Sequence, residues 1–141
     1  MTDADTYPIL RQVVLDTTDA RGLAEFYRQL LGLQYRPGDE PPPEGAPDPN
    51  GRDWLALRKN GESALAFQQV AQLPAATWPE GPNPQQLHLD LTVPDTDELE
   101  VQHERALALG ATLLLDRSED DDEPLYVYAD PSGHPFCIFV C

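Results

Sequence analysis

The sequence predicts an α+β domain built from two tandem copies of one unit: a strand, a helix and three further strands. Three observations carry that prediction. The segment Gln12-Val13-Val14-Leu15-Asp16 returns in the second half as His88-Leu89-Asp90-Leu91-Thr92. Each copy meets an Asp at the same interval, Asp19 and Asp95, and then an amphipathic stretch ending at Leu31-Gly32 or Leu109-Gly110. Helical periodicity occurs early in each half and strand-like runs follow it, which is not the alternating order of a parallel α/β sheet. The modules span 9–70 and 85–140, joined by a linker 71–84, within a single domain 1–141.

Residues 10–17 are apolar and β-branched, which suits a strand. Asp19 is placed to cap a helix over about 20–31, whose Leu23, Phe26, Tyr27, Leu30 and Leu31 form one apolar stripe. Gly32 supplies the left-handed stop. Gln34–Arg36 starts a second strand. The proline-rich, acidic stretch from Pro37 to Asn50 suits no regular element and reads as a mobile loop. Trp54–Arg58 and Ala64–Val70 read as a hairpin about Lys59-Asn60-Gly61-Glu62. In the second module Leu87–Val93, Thr96–Leu109 and Ala111–Asp116 read as strand, helix and strand. Leu125–Ala129 and Pro135–Val140 close it as a hairpin about Asp130-Pro131-Ser132-Gly133. Trp78, in the linker, reads as a clamp between modules.

Composition narrows the function. A formal net charge of −16 opposes nucleic acid and anionic membrane surfaces, both of which need clustered Lys and Arg. No apolar run approaches the roughly 18 residues of a membrane helix. The opening Met1-Thr2-Asp3-Ala4-Asp5 lacks the pattern of a signal peptide, and two cysteines make no disulfide framework, so a cytoplasmic setting is expected.

Strand alternation places His88, Asp90 and Thr92 on one face and Leu87, Leu89, Leu91 and Val93 on the other. The apolar face meets the helix, and the polar face meets water or a wet cavity. Gln12, Val14 and Asp16 form the matching set in the first module. In the last strand Phe136, Ile138 and Val140 share one face, with Cys137 and Phe139 opposite.

Asp16-Thr17-Thr18-Asp19, Leu23-Ala24-Glu25-Phe26-Tyr27, Leu31-Gly32-Leu33 and Ala66-Phe67-Gln68 carry a resemblance, as do His88-Leu89-Asp90-Leu91 and Asp130 through Cys137. Together they resemble the glyoxalase/bleomycin-resistance/extradiol-dioxygenase (vicinal oxygen chelate) superfamily, in particular the small glyoxalase-like domains of actinobacterial type. The resemblance implies two βαβββ modules forming an incomplete eight-stranded barrel around a cavity. It implies ligand positions on the first and last strands of each module, here Gln12, Gln68, His88 and Cys137. A possible divalent metal would sit there, although two amides, one imidazole and one thiol make an unusual set.

Two readings stand for each candidate. His88 is a ligand or acid/base lining a cavity, or a hydrogen-bonded structural histidine. Asp90 orients that imidazole or caps a hairpin. Cys137 is a thiolate ligand or nucleophile, or a buried unreactive thiol. Gln12 and Gln68 suit hydrogen bonding to an organic ligand. His134 and His103 read as a turn residue and a surface helix residue, and the run Glu119 to Glu123 as a solvated loop that lacks calcium-loop spacing. The expected function is binding of a small organic molecule, without a certain cofactor. The alternatives are a metal-dependent lyase, isomerase or dioxygenase, a drug-sequestering protein, and an interaction module with a vestigial pocket. A homodimer is compatible with each.

Overall fold

The two modules share one topology. Module one runs β1 (Val13–Thr17), α1 (Ala20–Leu31), β2 (Gln34–Tyr35), β3 (Trp54–Lys59) and β4 (Glu62–Gln69). Module two runs β5 (Leu89–Val93), α2 (Thr96–Leu109), β6 (Thr112–Arg117), β7 (Leu125–Ala129) and β8 (Pro135–Val140). The strand orders are β1-β4-β3-β2 and β5-β8-β7-β6, with the first and last strands of each module parallel. This is the α+β pair of βαβββ modules that the sequence predicts. The sheets are separate four-stranded units, so the barrel is not closed. The computed structural model describes residues 6–78 and 80–141. The expectation resting on Met1 to Asp5, and residue 79 of the linker, lie outside them.

Local chemistry sets the helix ends. The Asp19 carboxylate accepts from the Gly22 amide at 3.0 Å and the Asp95 carboxylate from the Glu98 amide at 2.8 Å. α1 buries Leu23, Ala24, Phe26, Tyr27 and Leu30, each large side chain contributing roughly 1.5–3 kcal/mol. α2 buries only Leu99 and Ala106. The β3–β4 turn takes Asn60 and Gly61 at φ 52° and 81°, the left-handed pair that a two-residue hairpin needs. None of the described helices is long and apolar enough to cross a membrane.

A chain of rings joins the modules. Tyr27 stacks on Phe67 at 5.9 Å, Phe26 meets Phe136 edge-on at 5.9 Å, and Phe136 stacks on Tyr128 at 4.9 Å. Polar contacts run beside it. Tyr27 Oη donates to the buried Asp130 carboxylate at 2.6 Å, Thr17 and Ser132 hydroxyls meet at 2.7 Å, and His134 Nε2 lies 2.6 Å from the Asp16 carbonyl.

Three expectations change. β1 begins at Val13 rather than at residue 10 and β5 at Leu89 rather than Leu87, because the chain stays irregular as far as Gln12 and His88. Gln12 and His88 are therefore each the residue immediately before the first strand of a module. The 37–53 segment is irregular but tied down. Arg21 grips Asp48 through two nitrogens at 2.8 and 2.9 Å and donates to the Asp39 carbonyl at 2.6 Å. Asp39, 3% exposed, accepts from the Ala56 amide at 2.9 Å and pairs with Arg36 at 3.0 Å. His103 is half-buried rather than fully exposed. It stacks on Tyr126 at 3.8 Å, and its Nδ1 lies 2.7 Å from the Tyr128 hydroxyl.

Candidate functional site

Strand alternation positions the site. Leu89, Leu91 and Val93 pack toward the core, and His88, Asp90 and Thr92 are exposed on the opposite side. Asp90 is the register partner of Cys137 across the parallel β5–β8 pair. His88 Nε2 lies 3.2 Å from Asp90 Oδ1, and ligand atoms of His88, Asp90 and Cys137 all fall within 4.8 Å of one another. His88 and Cys137 line a hollow of about 130 Å³ together with Trp78, Gln85, Val127 and Pro135.

The linker builds the roof. Thr77 donates its amide to the Asn83 carbonyl at 2.6 Å, and the Asn83 amide donates to Thr77 Oγ1 at 3.0 Å, closing a loop that presents Trp78. Just before it, Ala75 packs on Gly133, where an added Cβ would lie 2.6 Å from the Ala75 methyl. A second hollow of about 260 Å³ shares Pro135 with the first and is lined by Val14, Asp16, Asn83, Gln86 and His134 among others. A third, of about 350 Å³, lies between the end of α1, β5 and α2.

The five candidates divide. His88, Asp90 and Cys137 come together. Gln12 is half-buried with its Oε1 unpartnered, and Gln68 is exposed opposite Asp16 and Trp54; neither lines the His88 hollow. Phe67, Tyr126, Tyr128 and Phe136 are spent on the core, leaving Phe139 on the face of Cys137.

Two residues went unrecognised as site groups. Gln85 lines the hollow and its Oε1 is buried without a partner, and Trp78 lines the same hollow as His88. No local signal marks either one. The partial burial of His103 had a signal, since it follows helical spacing on one face with the buried Leu99 and Ala106.

The electrostatics oppose a free thiolate. Burial, reinforced by the Asp90 carboxylate, pushes the Cys137 thiol up to about 11. An activated nucleophile needs the opposite shift. By donor type His88, Asp90 and Cys137 would nevertheless suit a soft divalent ion, whose charge would favour the thiolate form of Cys137.

Two βαβββ modules with unjoined sheets make this a paired-module α+β protein. The glyoxalase-like domain family matches residues 12–139, and the chain belongs to it. No curated protein matches. Among solved structures, the chain is similar to a glyoxalase/bleomycin resistance protein/dioxygenase family enzyme from Burkholderia phytofirmans, at 21% identity and TM-score 0.65, covering 92% of this chain and 96% of that one. It is similar to the fosfomycin resistance protein FosX of Listeria monocytogenes, at 13% identity and TM-score 0.67, covering 96% and 95%. A lactoylglutathione lyase from Agrobacterium tumefaciens follows at 16% identity and TM-score 0.58, covering 94% and 92%. At these identities the likeness is one of fold.

Proposed function

We propose that the chain binds a small organic molecule in the hollow beneath Trp78, with His88 and Gln85 as its polar anchors. One observation carries the reading. His88, Cys137 and Gln85 line a single concavity with Trp78, Val127 and Pro135, and Gln85 carries a buried amide oxygen without a partner. Such a mixture of apolar wall and few polar groups is the usual form of a small-molecule site. Sequestration of a toxic compound belongs to this reading, in keeping with the resistance proteins among the structural relatives. A reducing cytoplasm suits the free thiol of Cys137. Pairing with a second copy is compatible with it, because Tyr7, Ile9 and Leu10 lie exposed before β1.

A thermal-shift panel of small organic compounds tests it. A true ligand at about 100 times its Kd adds roughly 2.7 kcal/mol of stability. A panel in which no compound stabilises the wild-type protein contradicts the reading.

The His88–Asp90–Cys137 cluster favours a second reading, a metal-assisted lyase, isomerase or dioxygenase acting on a small oxygenated substrate. A bound ion there would polarise the substrate's oxygens. Titration with Co²⁺ decides between the two: a thiolate-to-cobalt charge-transfer band, lost in Cys137→Ser, supports the metal. Optical silence at millimolar Co²⁺ contradicts it.

A further inference from the structure

The groups facing the His88 hollow are not neutral in what they ask of a ligand. Gln85 Oε1 is a buried acceptor with no donor, a state that costs about 1–3 kcal/mol until a donor arrives. Asp90 stands behind the lining, its carboxylate 3.2 Å from His88, and Asp16 lines the adjoining hollow. Among the described residues neither Lys nor Arg lines either hollow. Trp78 presents the side chain that best attracts a cation over its face. About 130 Å³ gives room for roughly one ring with a short substituent.

We infer that the hollow selects a small planar cation that donates hydrogen bonds, such as an aryl amidine or protonated heteroaromatic amine, and rejects carboxylates and phosphonates of equal size. The selection rests on the binding function proposed above and deepens it by naming the ligand's charge and hydrogen-bonding class. The planar N–H groups donate to Gln85 Oε1 and the Asp90 carboxylate while the ring lies against Trp78.

Benzamidine, benzamide and benzoate share one shape and differ in charge, so they separate these claims. The protein carries two tryptophans, Trp54 and Trp78, and labelling with 5-fluorotryptophan gives one ¹⁹F resonance for each. Titrations at pH 8 in 0.15 M salt should move the Trp78 resonance and leave that of Trp54. Benzamidine should bind about tenfold more tightly than benzamide, and benzoate should not saturate. Asp90→Asn should weaken benzamidine to about the benzamide level and weaken benzamide much less, since the Asn amide oxygen keeps a neutral acceptor, an outcome that general attraction to an acidic protein would not produce. Equal affinities for the three compounds, or tightest binding of benzoate, overturn the charge selection and leave the binding function standing. Silence of Trp78 with all three, together with an unresponsive thermal-shift panel, overturns both.

Discussion

Asp90 and Cys137 face each other across the parallel β5–β8 pair, and His88, the residue before β5, sets its Nε2 3.2 Å from the Asp90 carboxylate. Registry alone creates this arrangement. Two strands that must pair to bury Leu91 and Ile138 on one side bring a carboxylate and a thiol together on the other.

The thiol gives the first prediction. Its pKa of about 11 lies above the ordinary 9.0, so at pH 7.5 it carries about a hundredfold less thiolate than an ordinary thiol. Iodoacetamide should label the exposed Cys141 first and Cys137 slowly, with the Cys137 rate climbing as pH approaches 11. Asp90→Asn removes a negative neighbour, lowers that pKa and speeds labelling of Cys137. Equal rates for both thiols in the wild-type protein would refute the assigned environment.

The bond between Tyr27 and Asp130 gives the second. Burial raises the Asp130 pKa, and the Tyr27 hydroxyl acts the other way by stabilising the carboxylate. Tyr27→Phe should cost about 1–3 kcal/mol in urea unfolding at neutral pH. Because Tyr27 favours the ionised form, the cost should shrink as pH falls and Asp130 becomes protonated. A cost that stays constant from pH 7 to pH 3 would contradict this linkage.

Removing an anchor should free the 37–53 segment. Asp39→Ala leaves the Ala56 amide without its acceptor and should cost about 1–3 kcal/mol, whereas Arg21→Ala, in a partly exposed pair, should cost about 1 kcal/mol. Hydrogen exchange over 37–53 should accelerate in both variants. Unchanged exchange would mean that the prolines alone hold the segment.

Gly133 positions the roof. Its φ of 92° favours glycine, and a methyl there would lie 2.6 Å from the Ala75 side chain. Gly133→Ala should displace the linker and shift the Trp78 ¹⁹F resonance in the unliganded protein, leaving Trp54 in place. A Trp78 signal identical to wild type would disconnect the β7–β8 turn from the site.

The contrast between Asp19 and Trp78 shows what the sequence could disclose. Asp19, Gly32 and the stripe from Leu23 to Leu30 act through neighbours three and four residues away, so spacing alone reveals the helix and its ends. The faces of β5 and β8 are legible for the same reason, and with them the grouping of His88 with Asp90 apart from Leu89. The shared topology of the two modules is readable because Gln12-Val13-Val14-Leu15-Asp16 returns as His88-Leu89-Asp90-Leu91-Thr92 and each copy meets an Asp at the same interval. Trp78, by contrast, takes its place from Thr77 closing on Asn83 and from Ala75 meeting Gly133, the latter contact reaching across more than fifty residues of chain. Asp39 likewise reads as one more acid in a proline-rich loop, because the Ala56 amide that it accepts from becomes its neighbour only when β3 is in place.

Mapping the amide and indole shifts of the ¹⁵N-labelled protein during a benzamidine titration tests the central claim most directly. The account predicts that the largest changes fall on Gln85, His88, Cys137 and the Trp78 indole. Changes centred on Leu31, Thr92, Glu98 and Arg105, in the hollow between the helices, would place the binding site elsewhere and contradict it.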